Sequence, residues 1–286
     1  MEKNVTKGII FMLISALGFA MMQMCVKLTG SRIPTFEQVF FRNLITMFLC
    51  GFLAIKNKER LFGKRENFKY LFLRSLFGFL GVVCYFVAIN NMATADATIL
   101  QKSSPLFVTL FAILLLKEKL TKSKIIVLIL CLLGTIFVVN PRFNSDLTYG
   151  FIGILSACFA GLAYTLVSFL NKVEKTNTII FFFSLFSVVC CIPFMMIDFT
   201  IPTAYELMLL FFIGIFAGIG QVGLTLGYKY APASEVSIFA FATVPFATIF
   251  GYILFNDKLS PHTALGIMLI FISSLYTYLK NKKAML

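Results

Sequence analysis

Ten runs of apolar residues, each close to one membrane thickness in length, leave this chain few folds to choose from. They are Gly8–Lys27, Phe36–Ile55, Phe68–Ile89, Thr94–Leu116, Ser123–Val139, Tyr149–Leu170, Asn177–Ile197, Ala204–Gly227, Ala233–Phe255 and Thr263–Leu279. A hydrocarbon core about 30 Å thick needs about 20 helical residues to cross it. Inside it every backbone N–H and C=O must be satisfied within the segment, which permits helices or a closed barrel. A barrel needs short alternating segments, and the sequence has none. With 59% hydrophobic and 13% charged residues, a soluble domain of 286 residues could not hide its apolar surface. The expected class is an all-α membrane protein of ten transmembrane helices. The first run follows Lys3 and Lys7 like a signal peptide, but no small-residue cleavage site follows it, so it reads as a retained anchor.

The net charge of +13 does not point to nucleic acid, because the basic residues sit in the short loops. With the N-terminus inside, eighteen Lys and Arg fall on the inner side, twelve of them in Lys56–Lys69 and Lys117–Lys175. Only Lys27, Arg32, Arg142 and Lys258 fall outside, and Arg42, Arg74 and Lys102 lie within spans. Positive charge stays cytoplasmic, so both termini are expected in the cytoplasm. The seven cysteines all fall in apolar spans without metal-ligand spacing and read as inert thiols.

The fourth and ninth spans resemble each other. Each carries a mid-run proline, Pro105 or Pro245, and each closes on an acid, a lysine, a leucine and a hydroxyl residue. These are Glu118-Lys119-Leu120-Thr121 and Asp257-Lys258-Leu259-Ser260. Ser15-Ala16 also aligns with Ser156-Ala157, Gly81 with Gly220, and Asp96 with Glu235. Five spans precede the Asn140–Thr148 linker and five follow it. Five is odd, so the second copy enters from the opposite side. The expected organisation is two inverted five-helix repeats, residues 1–140 and 141–286, the layout of many secondary transporters with a substrate site between the halves.

On these features the chain resembles the EamA family of the drug/metabolite transporter superfamily. The resemblance covers about Lys7–Val139 and Tyr149–Lys280, and its most specific element is the pair of proline helices with their acid-x-Leu-Ser/Thr endings. It implies a bacterial inner-membrane carrier working by alternating access, with spans 1, 3, 4, 6, 8 and 9 lining the cavity. It does not name the substrate, since family members handle amino acids, nucleosides, cofactors and other amphiphiles.

The duplication sorts the polar residues. A group present in both halves fits architecture, and one present in a single half fits the ligand. Asp96 and Glu235 match, and each sits in the first turn of a helix, where the dipole favours a carboxylate. They read as caps or as proton-coupling groups. Glu118 and Asp257 read as solvated turn residues. Lys102 aligns with Phe241 or Ala242 in the other half, so it breaks the repeat, and it lies about 12 Å along its helix. Thr98, Gln101, Lys102, Pro105 and Thr109 share one helical face. A charge in hydrocarbon costs ~2.5–3.5 kcal/mol on insertion scales, so Lys102 either meets an anionic ligand or pairs with Asp96 or a carbonyl. Gln23, Tyr85, Asn91, Tyr164 and Gln221 complete the candidate lining, while Arg42 and Arg74 are expected to snorkel to the interfaces. Glu37 reads as a cap or a partner for Arg42, and His262 as a solvated turn residue.

No nucleophile elbow, catalytic histidine or acidic cluster occurs, so an enzyme is not expected, nor any cofactor or metal. The expected function is secondary transport of a small polar or amphiphilic metabolite, with export of an amino acid or related compound as first choice. Uptake of a nucleotide-like cofactor such as S-adenosylmethionine is the second. A channel or assembly protein is the alternative of another class. Lys102, Gln101, Thr98, Gln23, Tyr85, Tyr164 and Gln221 would bind substrate, Asp96 and Glu235 would couple, and Pro105 and Pro245 would kink. The expected partners are the substrate, the bilayer and protons or a counter-substrate, with no nucleic acid and a monomeric or homodimeric state.

Overall fold

The computed structural model describes residues 4–30, 32–91, 94–119, 121–140, 147–255 and 260–283. Its helices are α1 (Val5–Thr29), α2 (Thr35–Lys56), α3 (Phe68–Asn91), α4 (Thr94–Gln101), α5 (Ser104–Leu116), α6 (Lys122–Val139), α7 (Leu147–Leu170), α8 (Thr176–Ile197), α9 (Ala204–Tyr230), α10 (Ala233–Val236), α11 (Thr243–Phe255) and α12 (Pro261–Lys283). They make ten candidate membrane crossings, because α4 with α5, and α10 with α11, each complete one. The outer faces are strongly apolar: Phe48, Phe52 and Ile55 of α2 are 65–67% exposed, a surface suited to lipid and costly in water. The chain is a multi-pass membrane protein.

Lipid tails are as apolar as leucine, so small residues and backbone approach decide which helices meet. α1 lies antiparallel on α9, with Gly8 against Gly227 and Gly18 against Gly220. A Cβ on Gly223 would stand 2.8 Å from the Phe11 carbonyl oxygen and the Ser15 nitrogen, so only glycine fits that crossing. The Ser15 hydroxyl seals it by donating to the Gly220 carbonyl at 2.7 Å. α3 lies antiparallel on α7 in the same manner, and the Ser156 hydroxyl donates to the Gly81 carbonyl at 3.0 Å. Around these pairs, α2 packs on α8 through the stacked Phe36 and Phe194 rings, α6 packs on α12 through Gly134 and Gly266, and α5 runs beside α7 at Gly161. α11 runs beside α1.

The loops are tied by charge. Arg32 donates from Nε to Glu206 Oε1 at 2.7 Å and pairs with Oε2 through its other nitrogen. That hydrogen bond holds the Arg32 pKa above the ordinary arginine value. Glu206 also closes a capping box with Thr203 at the start of α9.

Candidate functional site

The fourth crossing is two helices rather than one bent helix. α4 ends at Gln101, Lys102 and Ser103 form a turn, and α5 restarts at Ser104-Pro105. Pro105 has no N–H and would clash with the carbonyl four residues back, so the helix restarts with proline in its first turn, where the missing donor costs nothing. The Lys102 N–H still bonds the Thr98 carbonyl at 2.9 Å, and the Ser103 N–H the Leu100 carbonyl at 3.1 Å. The lysine thus stands where the helix breaks. The ninth crossing is interrupted too: α10 gives way to a 3₁₀ stretch, Ser237–Ala242, before α11. Six residues is long for a 3₁₀ run, and such runs often mark hinges.

The interrupted crossings face a chain of cavities. A central cavity of about 60 Å³ is lined by Ser15 and Phe19 of α1, Gln101, Lys102 and Pro105, Tyr164 of α7, Tyr228 of α9 and Phe241 of the 3₁₀ stretch. Lys102 also borders a vestibule of about 290 Å³ with Gln23, Thr98, Val138, Thr248 and Thr263. On the other side of Gln101 and Tyr164 lies a cavity of about 70 Å³, lined by Arg42, Arg74, Tyr85, Phe183 and Gln221. A fourth cavity of about 200 Å³ holds Lys119, Lys124, Glu235 and Tyr276.

The structure brings Lys102, Gln101, Thr98, Gln23, Tyr85, Tyr164 and Gln221 onto the walls of these neighbouring spaces. Among the described residues the Lys102 ammonium has no hydrogen-bond or ion-pair partner, and Gln221 Oε1 is buried without one. Tyr85 bonds Thr98 at 3.3 Å, and Tyr164 stacks with Tyr228 at 6.1 Å between centroids. Asn91 is exposed, bonds its own helix at the Val87 carbonyl and lines none of these cavities. The coupling candidates divide. Glu235 pairs with Lys124 at 3.2 Å at the foot of α10, whereas the Asp96 side chain lies outside the described residues.

Three expectations give way. Arg42 and Arg74 do not snorkel: Arg74 is 1% exposed, both border the 70 Å³ cavity, and the Arg74 guanidinium lies 3.7 Å from the Phe183 ring centroid. Packing of α7 and α8 over α3 covers the route to the interface. Glu37 does not reach Arg42; it is buried and accepts from the Thr200 N–H at 3.1 Å. Glu118 is not a solvated turn residue. It accepts from the Ala233 and Ser234 N–H groups at 2.9 and 3.0 Å and from the Ser234 hydroxyl at 2.6 Å, capping the ninth crossing. The matching turn residues Asp257, Lys258 and Leu259 lie outside the described residues, as do Leu120 and Arg142.

The profile of the EamA-like transporter family matches residues 6–140 and 148–279. The chain belongs to the EamA-like transporter family. It is 31% identical over 268 residues to the pseudopaline exporter CntI of Pseudomonas aeruginosa, covering 93% of this chain and 94% of that protein. It is 25% identical over 287 residues to an S-adenosylmethionine uptake transporter of Rickettsia bellii, covering 99% and 97%. A crystal structure at 16% identity superposes with a TM-score of 0.86 over 98% of this chain and 99% of that one, a likeness of fold. This EamA protein is thus a membrane transporter and not an enzyme. What its interior offers a solute is positive charge, tyrosine faces and amides. Arg42 and Arg74 carry little sequence signal of their own, but Arg74, Gly78, Gly81 and Tyr85 fall at helical spacing, and that stripe marks the face turned inward.

Proposed function

We propose that this EamA transporter carries a small polar or amphiphilic metabolite with an anionic group across the cytoplasmic membrane by alternating access, with export as its direction. The single observation behind this reading is the position of Lys102. It stands at a helix break on the shared edge of the central cavity and the vestibule, with no internal counter-ion among the described residues. Discontinuous helices at the middle of a bundle supply substrate sites in transporters of this general design. An unpaired ammonium in such a site is costly unless a ligand's carboxylate or phosphate completes it. The name of the Pseudomonas relative supports export of a metabolite.

Residues 1–140 and 141–286 are read as two inverted repeats with both termini cytoplasmic. Exchanging the halves turns the α1–α9 pair into the α7–α3 pair, and the Ser15–Gly220 bond into the Ser156–Gly81 bond. Alternating access then follows as rocking of one half against the other, with the interruptions at Lys102 and at Ser237–Ala242 as flexing points. The coupling partner is a proton or a counter-substrate.

A second reading, uptake of a nucleotide-like cofactor, is favoured by the Rickettsia relative and by the Tyr164–Tyr228 stack, which could accept a flat ring. Counterflow tests both readings. Purified transporter in vesicles should take up labelled solute against an internal excess of the same compound, whereas a channel shows no such trans-stimulation. Lys102→Gln should reduce counterflow of an anionic solute by about tenfold or more, the cost of removing one charge-assisted contact. Unchanged counterflow in Lys102→Gln would overturn the role given to that lysine.

A further inference from the structure

We infer that the transporter holds a second anion site, built from Arg42 and Arg74, and that its substrate carries two separated anionic groups, one for this pair and one for Lys102. The inference rests on the transport reading above and narrows it. Arg42 lies on α2 and Arg74 on α3, and both open onto one cavity of about 70 Å³. Arg74 is 1% exposed, with Nε and Nη1 buried and unbonded, and Arg42 Nε is buried and unbonded as well. Among the described residues neither guanidinium has a hydrogen bond or an ion pair, and the Arg74 guanidinium rests on the Phe183 ring.

Guanidinium groups keep their charge at any physiological pH, so this charge cannot be removed by losing a proton. Two like charges sharing one desolvated space repel, and each has given up hydration. A structural role would pair them with a carboxylate, as Arg32 is paired with Glu206. The cavity holds instead a set of unanswered donors beside Gln221, whose Oε1 is also unbonded. Planar forks of this kind match the two oxygens of a carboxylate or a phosphate. Gln101 and Tyr164 line this cavity and the Lys102 cavity alike, so one partition of two side chains separates the two cationic centres. A molecule that displaces the partition would meet both.

The test uses full-length protein purified in detergent. The probes are straight-chain α,ω-dicarboxylates from succinate to suberate, the monoamide of each, and phosphonocarboxylates of the same lengths. Binding is read by titration calorimetry and by the shift in thermal unfolding, which a ligand of the folded form raises. At the length that spans the two centres, wild-type protein should bind the diacid about 30-fold or more tightly than its monoamide, the lower range for losing one partner of a buried charge pair. Arg74→Gln and Arg42→Lys should each shrink that ratio. A phosphonocarboxylate tighter than the diacid of equal length would assign the pair to phosphate, and the reverse order would assign it to carboxylate; both uphold the site.

Diacid and monoamide binding equally at every length would overturn the inference, and this comparison needs no variant to fold. If monoamide binding and counterflow then still depend on Lys102, the transport reading stands without the second site. If acids of neither kind bind and neutral or cationic amphiphiles do, both fall.

Discussion

At the scale of single residues, the charges that lie inside the bundle divide by what answers them. Lys102 was legible in the sequence because it has no counterpart in the other half and sits beside a proline. Arg42 and Arg74 were not, because distance from a helix end fixes depth but not direction. Whether an arginine reaches water or is covered depends on which neighbours pack over it, and that is set by α7 and α8. Glu118 was misread for the same reason: its three donors come from residues 115 and 116 positions away. Its contribution is measurable. Glu118→Ala removes an N-terminal cap from the ninth crossing and should cost ~1–2 kcal/mol. In a chain of this size that lowers the unfolding midpoint by ~2–8 °C in a thermal scan. Glu118→Gln, which can still accept, should recover at least half of the loss; an unchanged midpoint for Glu118→Ala would mean that the bonds of Glu118 add nothing.

At the scale of elements, the two interrupted crossings matter more than the regular ones. Their prolines were visible in the sequence, but the expected kink is a full break at Lys102 and Ser103, and a 3₁₀ stretch in place of a bend in the ninth crossing. Pro105 stands in the first turn of α5, where it costs little, so Pro105→Ala should change thermal stability by no more than ~1 kcal/mol. Alanine would let α4 and α5 join, turning Lys102 away from the cavity edge, and counterflow should fall by about tenfold while the protein remains folded. Equal loss of folding and transport would argue that the break is structural only. The glycines of the regular helices α9 and α7 make a second contrast. Gly223→Ala forces a Cβ against the α1 backbone and should cost ~1–3 kcal/mol, whereas Gly150, with open space around it, should accept alanine with no loss or a gain of up to ~1 kcal/mol.

At the scale of the whole molecule, the ten apolar runs were enough to read the helix count and the membrane class, because in lipid the backbone has no alternative to helix. Which helices meet was only partly readable, from glycines and serines, since the partner of a small residue is decided by the bundle. The arrangement that results is uneven across the membrane. On one side the vestibule of about 290 Å³ reaches Lys102, and on the other Lys124 bridges from α6 to Glu235 of α10 at 3.2 Å and to the Ser234 hydroxyl at 3.1 Å. Thr263 takes the place of Lys124 on the vestibule side when the halves are aligned, so the bridge belongs to one face. If the halves rock, this bridge biases the state in which its own face is shut. Both partners are mostly covered, with side chains 15% and 20% exposed, and a bridge of ~1 kcal/mol gives about a fivefold change in the balance of states. In a cysteine-free background, a cysteine in place of Thr263 reports the vestibule, and one in place of Thr277, which lines the 200 Å³ cavity beside Lys124 and Glu235, reports the bridged face. Adding Lys124→Gln should then speed labelling of the second by a membrane-impermeant thiol reagent and slow labelling of the first, each by up to about fivefold. Opposite movement is the signature of two faces that open by turns. Movement of both rates in the same direction would mean that the substitution merely loosens the bundle, and rocking between an outer and an inner opening would have to be abandoned.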